Sequence, residues 1–148
     1  MESVEHLIVP LWQAFVWTDE GLQNYLRKQG WPEVTRPQSM VMNNVVIGVR
    51  KPSDIARNLG VSRQAIHITI RQMVDLGILE LVDDPEDRRS KVVAIGATGA
   101  KMRESAQQAM LQIARTLEKR IGKTQVDQLK AALAADWGAP LTWDTPDS

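Results

Sequence analysis

Apolar residues recur along most of this chain at the three-and-four spacing that gathers them on one side of a helix. Between residues 7 and 29, Leu7, Ile8, Leu11, Phe15, Leu22, Tyr25 and Leu26 form one stripe, and Trp12, Val16 and Trp17 make the first half apolar on nearly every side. Pro10 suits the first turn of such a helix, Gly21 offers a place to bend, and Gly30, Trp31 and Pro32 close it. A second helix is predicted from about Pro37 to Ile47, carrying Met40, Val41, Val45 and Val46. The spacing of Met102, Ala106, Ala109, Met110, Ile113, Leu117 and Ile121 predicts a long helix over residues 99–121. Gly122 ends it, and Thr124 is expected to cap another helix with Val126, Leu129, Leu133 and Trp137 on its apolar side. The tail over 138–148 has two prolines and reads as irregular.

The segment from Pro52 to Gly96 breaks this rhythm. Ser53 is expected to cap a short helix, with Asp54 at its positive end and Ile55, Ala56 and Leu59 on its inner side. Gly60 can take the left-handed conformation that ends a helix. Val61 is expected to plug the corner, and Ser62 to cap a second helix from about Arg63 to Leu76. Ile66, Ile70, Met73 and Val74 form the buried stripe of that helix, leaving Arg63, Gln64, His67, Ile68 and Arg71 outside. After Gly77, Ile78–Val82 and Lys91–Ile95 read as the two strands of a hairpin, with a polar tip from Asp83 to Ser90.

Two helices across a tight turn, followed by a hairpin, make a winged helix-turn-helix, a shape suited to duplex DNA. Between Arg57 and Arg71 there are three arginines and no acidic residue, and Arg and Gln can hydrogen-bond base edges in a major groove. The alternative is an ordinary solvated helix face. At the hairpin tip one acid is expected to pair with an arginine, leaving the other free for a phosphate or a minor groove. The alternative there is a surface loop of mixed charge.

Residues 52–99 resemble the winged-helix core of the MarR family of bacterial transcription regulators. Asp87, Arg89, Val93, Ile95 and Gly99 match the family's wing pattern, and Pro85 and Arg88 also fit it. The resemblance implies that Asp87 orients the wing and that Arg89 touches DNA. Ser62 and Arg88 are expected to hold the DNA backbone. The chain departs from the pattern at Gly96, where a threonine usually caps the next helix and Thr98 would have to take over. It departs again at Leu81 and Val82, where basic residues are common.

The expected fold is mainly α with a small β-hairpin wing, in one domain over residues 1–148. A winged helix-turn-helix lobe spans 37–96, flanked by helices at 7–29 and 100–137. The first of these is apolar nearly all round and needs cover that one small lobe cannot supply. The family interlocks such helices between two subunits, so the resemblance implies a homodimer on an inverted-repeat operator. The alternative is packing of these helices within one chain. Family members often respond to small aromatic anions. Here Trp12, Phe15, Trp17, Met40 and Met42 would wall such a ligand, with Arg36 or Arg50 meeting its charge. The same aromatics could instead be dimer core.

Eighteen basic and eighteen acidic residues give zero formal charge. DNA binding would therefore rest on a local basic face, and salt would weaken it steeply. There is no cysteine, which excludes disulfides, thiolate metal sites and thiol switching. His6 and His67 lack ligand partners at metal spacing, and the hairpin acids have no neighbouring pocket. Gly-rich phosphate loops are absent. No enzyme, cofactor or metal site is expected. No apolar run has membrane length and no signal peptide is seen, so the expected location is cytoplasmic. A winged helix used only for protein–protein contact or dimerisation, without sequence-specific DNA binding, is the competing function.

Overall fold

The computed structural model describes residues 6–144. Its elements run α1 (Ile8–Lys28), α2 (Arg36–Val46), α3 (Pro52–Leu59), α4 (Arg63–Asp75), β1 (Leu79–Asp83), β2 (Lys91–Ile95), α5 (Ala97–Ile121) and α6 (Lys123–Ala134). The sequence reads as one domain over 1–148. The chain packs as two compact units, one ending at Ile113 and the other starting at Ala114, within α5. The irregular tail is observed as far as Asp144, and residues 145–148 lie outside the described part.

The core of the first unit is the winged lobe. Ile55 of α3, Ile66, Ile70 and Met73 of α4, Leu79 of β1 and Val93 of β2 are buried together, with Val41 and Val45 of α2 and Met102 of α5 against them. β1 and β2 pair antiparallel, Leu79 opposite Ile95 and Asp83 opposite Lys91. The segment before α3 extends the far edge of β2, because the Val93 N–H donates to the Arg50 carbonyl at 2.9 Å.

Several ends differ from expectation for local reasons. α2 starts at Arg36 because Thr35 and Gln38 form a reciprocal capping box, with the Thr35 N–H donating to Gln38 Oε1 at 3.0 Å. α3 starts at Pro52, a residue with no N–H to leave unpaired, so the cap position falls on Lys51 and Ser53 lies inside the helix. Gly60 ends α3 at φ +67°, and the Val61 N–H returns to the Ala56 carbonyl at 3.1 Å. Val61 itself is exposed and plugs nothing. Gly122, not Thr124, occupies the cap position of α6, where the Asp127 hydrogen bond holds the Lys123 ammonium above its ordinary pKa.

The polar residues buried in α2 each tie it to a different helix. Ser39 Oγ donates to Asp19 Oδ1 of α1 at 2.9 Å, Gln38 Nε2 donates to Gln72 Oε1 of α4 at 3.3 Å, and Asn44 Oδ1 accepts from Asn58 Nδ2 of α3 at 2.9 Å. Asp19 also accepts from Gln23 at 3.2 Å and from Arg36 Nε at 3.4 Å. A buried carboxylate costs several kcal/mol unless so satisfied, which makes this cluster a fixed joint between α1 and α2.

α1 is unbroken at Gly21, which lies where Ile113 of α5 approaches: a β-carbon there would meet Ile113 Cδ1 at 3.3 Å. Its second half is covered by the lobe, with Leu26 buried and Leu22 against the core. Its first half is not. Leu7 is 67% exposed, Ile8 78% and Trp12 49%.

Candidate nucleic-acid interface

The candidate reading helix is α4, and its start is fixed locally. Ser62 has extended backbone, and its Oγ accepts the Ala65 N–H at 3.1 Å. Ile66, Ile70 and Met73 bury one side of the helix, and Val74 is partly buried beside them. At about 100° per residue, Gln64, Ile68 and Arg71 fall opposite that stripe, with Arg63 and His67 on its flank. All five side chains are exposed, as the periodicity predicts.

The wing tip is built from aspartates that accept backbone hydrogens. Asp84 Oδ1 accepts the Glu86 N–H at 2.9 Å. Asp87 Oδ1 accepts the Arg89 N–H at 3.1 Å, and its Oδ2 accepts the Ser90 hydroxyl at 3.0 Å. These are Asx turns, in which a short carboxylate replaces a backbone acceptor. Among the described residues, no acid pairs with an arginine at the tip. Asp83 pairs with Lys91 instead, and that exposed pair contributes little to stability. Both Arg88 and Arg89 are therefore exposed and, among the described residues, without an ion-pair partner. The same holds for Arg63 and Arg71, whereas Arg57 pairs with Asp54 at 3.1 Å.

Two departures noted in the sequence acquire reasons. A β-carbon on Gly96 would lie 2.3 Å from the Gly77 carbonyl oxygen, so this backbone leaves no room for a threonine. Thr98 does not take over as a cap. It is the second residue of α5, and its own N–H donates to the Gly77 carbonyl at 3.1 Å. Leu81 is 44% exposed on the wing stem, whereas Val82 is half-buried.

The residues expected to wall an effector are not all brought together. Trp12 and Phe15 stack at 5.7 Å, and the Arg36 guanidinium sits 5.8 Å above the Trp12 ring. Arg36 is already held by Asp19 and Glu20. Trp17 is 40% exposed, Met40 is half-buried, and Met42 packs against the lobe core. Arg50 lines a different hollow of about 580 Å³ beneath the wing, with Lys51, Arg57, Asp84 and Pro85. Sequence reading did not single out Asp19, Gln23 or Ser39. The available signal was an aspartate in the middle of a largely apolar helix.

Among the described residues, no cluster of three His, Asp or Glu side chains is placed to hold a metal ion, and no helix is long and apolar enough to cross a membrane. The fold and its exposed, capped helix beside an arginine-tipped hairpin define a winged helix-turn-helix architecture. Residues 33–90 match the MarR family model, in agreement with the resemblance seen in the sequence. Sequence comparison with curated proteins gives no significant match. Among solved structures, wild-type MarR from E. coli in its apo form is similar over 90% of this chain and 96% of its own, with 22% identity and a TM-score of 0.66. The transcriptional regulator Tm0710 from Thermotoga maritima is similar over 83% and 85%, with 19% identity and a TM-score of 0.61. A structure of the Multiple Antibiotic Resistance Repressor, MarR, is similar over 91% and 97%, with 18% identity and a TM-score of 0.67. At these identities the likeness establishes the fold.

Proposed function

We propose that this chain is a dimeric regulator of transcription that reads duplex DNA and represses until a small ligand releases it. The observation that carries the reading is the set of four exposed arginines that, among the described residues, have no acidic partner: Arg63 and Arg71 on the capped helix and Arg88 and Arg89 on the wing. Net charge is zero, so these local cations are the electrostatic footprint available to a phosphate backbone. The family match supports the same reading. No catalytic step is part of it.

Dimerisation is supported by large apolar side chains left open in a single chain: Leu7, Ile8 and Trp12 in one unit, Leu129, Leu133 and Trp137 in the other. Exposed apolar clusters on this scale mark association surfaces. A two-fold dimer would set two copies of α4 about 34 Å apart, one helical turn of DNA, and would require an inverted-repeat operator. The full chain is expected to sediment as a dimer at micromolar concentration and to shift an inverted-repeat duplex from the DNA flanking its own gene. A monomer in the centrifuge removes the dimer. A dimer that shifts no duplex favours the second reading, a protein-contact module, which the exposed Leu81 on the wing stem supports.

The effector would be a small aromatic molecule lying near the Trp12–Phe15 stack. A ligand releases DNA only through unequal affinity for the bound and released arrangements. An anionic ligand would have to compete with Asp19 and Glu20 for Arg36. Salicylate-like compounds are therefore expected to bind weakly, quenching tryptophan fluorescence and releasing DNA over the same concentration range. No quenching and no release across a broad aromatic panel would remove the effector and leave the DNA-binding proposal standing.

A further inference from the structure

The outer face of α4 carries an apolar residue at its centre. Ile68 is 51% exposed, while Ile66 and Ile70 on either side of it are 2% and 1% exposed. Two positions beyond Ile66, it lies about 200° around the helix, directly opposite the core stripe. Gln64 is one turn before it and Arg71 one turn after, so the aliphatic side chain stands between two groups suited to polar base edges. The folded lobe leaves about half of it open.

We infer that Ile68 is a specificity-determining residue that reads the C5-methyl group of a thymine. The inference rests on the DNA-reading assignment made above. Base edges in a major groove present donors, acceptors and one apolar group, the thymine methyl. An isoleucine pressed against any other edge would strip water from a polar atom without replacing its hydrogen bond. The arginines that flank it on α4 are suited to polar base edges and do not read an apolar group. Gln64 is suited to adenine by a bidentate contact. Four residues of helix rise about 6 Å and one base step is about 3.4 Å, so the two readings fall one or two steps apart. Each half-site should therefore hold an A·T pair followed closely by a thymine whose methyl faces the protein.

The test uses the full chain. Its operator is selected from a random duplex library, and each thymine is then replaced singly by deoxyuridine, which removes only the methyl. One thymine per half-site is expected to weaken binding about fourfold when replaced, and about sixteenfold when both half-sites are changed, as burial of one methyl-sized group predicts. Ile68→Ala and Ile68→Gln should bind the thymine and uracil operators alike, with unchanged helix content and salt dependence. Indifference of the wild-type chain to every deoxyuridine, while it still selects a sequence, overturns the methyl reading alone. So does a thymine preference that survives in both Ile68→Ala and Ile68→Gln. Failure to enrich any duplex overturns the DNA-reading assignment and this inference with it.

Discussion

Replacing Gly99 by alanine is expected to destabilise the first unit by about 3 kcal/mol, the upper end of the usual cost of overpacking. A β-carbon on Gly99 would stand 2.1 Å from the Ile78 carbonyl oxygen and 3.0 Å from its carbon. Both are backbone atoms that cannot swing aside. The Ile78 carbonyl accepts the Gly96 N–H at 2.9 Å, and the Gly77 carbonyl accepts from Thr98 at 3.1 Å and from Gly99 at 3.3 Å. The first turn of α5 is thus docked backbone to backbone on the residues that link α4 to β1, and relief of the clash would break those bonds. For a chain of this size, a midpoint about 10 °C lower is expected in thermal unfolding followed by circular dichroism. Gly21→Ala is the control. It adds the same atom inside a helix, but against the flexible end of Ile113, and a helix interior prefers alanine over glycine by about 1 kcal/mol. An unchanged or raised midpoint in Gly99→Ala would remove the docking argument.

Loss of Arg63 and Arg89 together is expected to weaken operator binding by about 100-fold or more at moderate salt. Arg63 opens α4, and a direct base contact there is worth about 1–3 kcal/mol. Arg89 sits at the wing tip, where its backbone N–H is engaged by Asp87 and its guanidinium is exposed. Its loss should weaken every duplex alike and lower the salt slope by about 0.9 for each phosphate contact removed. The two residues lie on separate elements, so their effects should nearly add. Filter binding over a salt series, on operator and unrelated duplex, separates the contributions. Undiminished affinity in the double variant would leave the protein-contact reading as the better one.

Much of this molecule is legible from local rules. The turn between α3 and α4 follows from Leu59-Gly60-Val61-Ser62, because a left-handed glycine and a hydroxyl cap act within a few residues of themselves. The five exposed positions on α4 follow from its period, since Ile66, Ile70 and Met73 can face only one way. The hairpin strands follow from two apolar runs around an Asp- and Pro-containing tip. The Thr35–Gln38 capping box is equally local, because two side chains three residues apart each accept the other's backbone N–H.

Tertiary structure decided the rest, because it depends on which groups meet across long stretches of sequence. Nothing near Asp19 in sequence indicates that Ser39 and Arg36 will be its partners, and those partners both fix α1 to α2 and occupy the charge expected for a ligand. One wing acid is expected to pair with an arginine, whereas Asp84 and Asp87 accept backbone N–H groups instead, since a two-residue reach favours the main chain. Gly96 read as a missing threonine cap. In the folded chain, the carbonyl of Gly77, nineteen residues upstream, occupies the space its side chain would need. Periodicity thus determined which side chains face outward, and only the packed backbone decided which of them remained unpaired and where another atom could not fit.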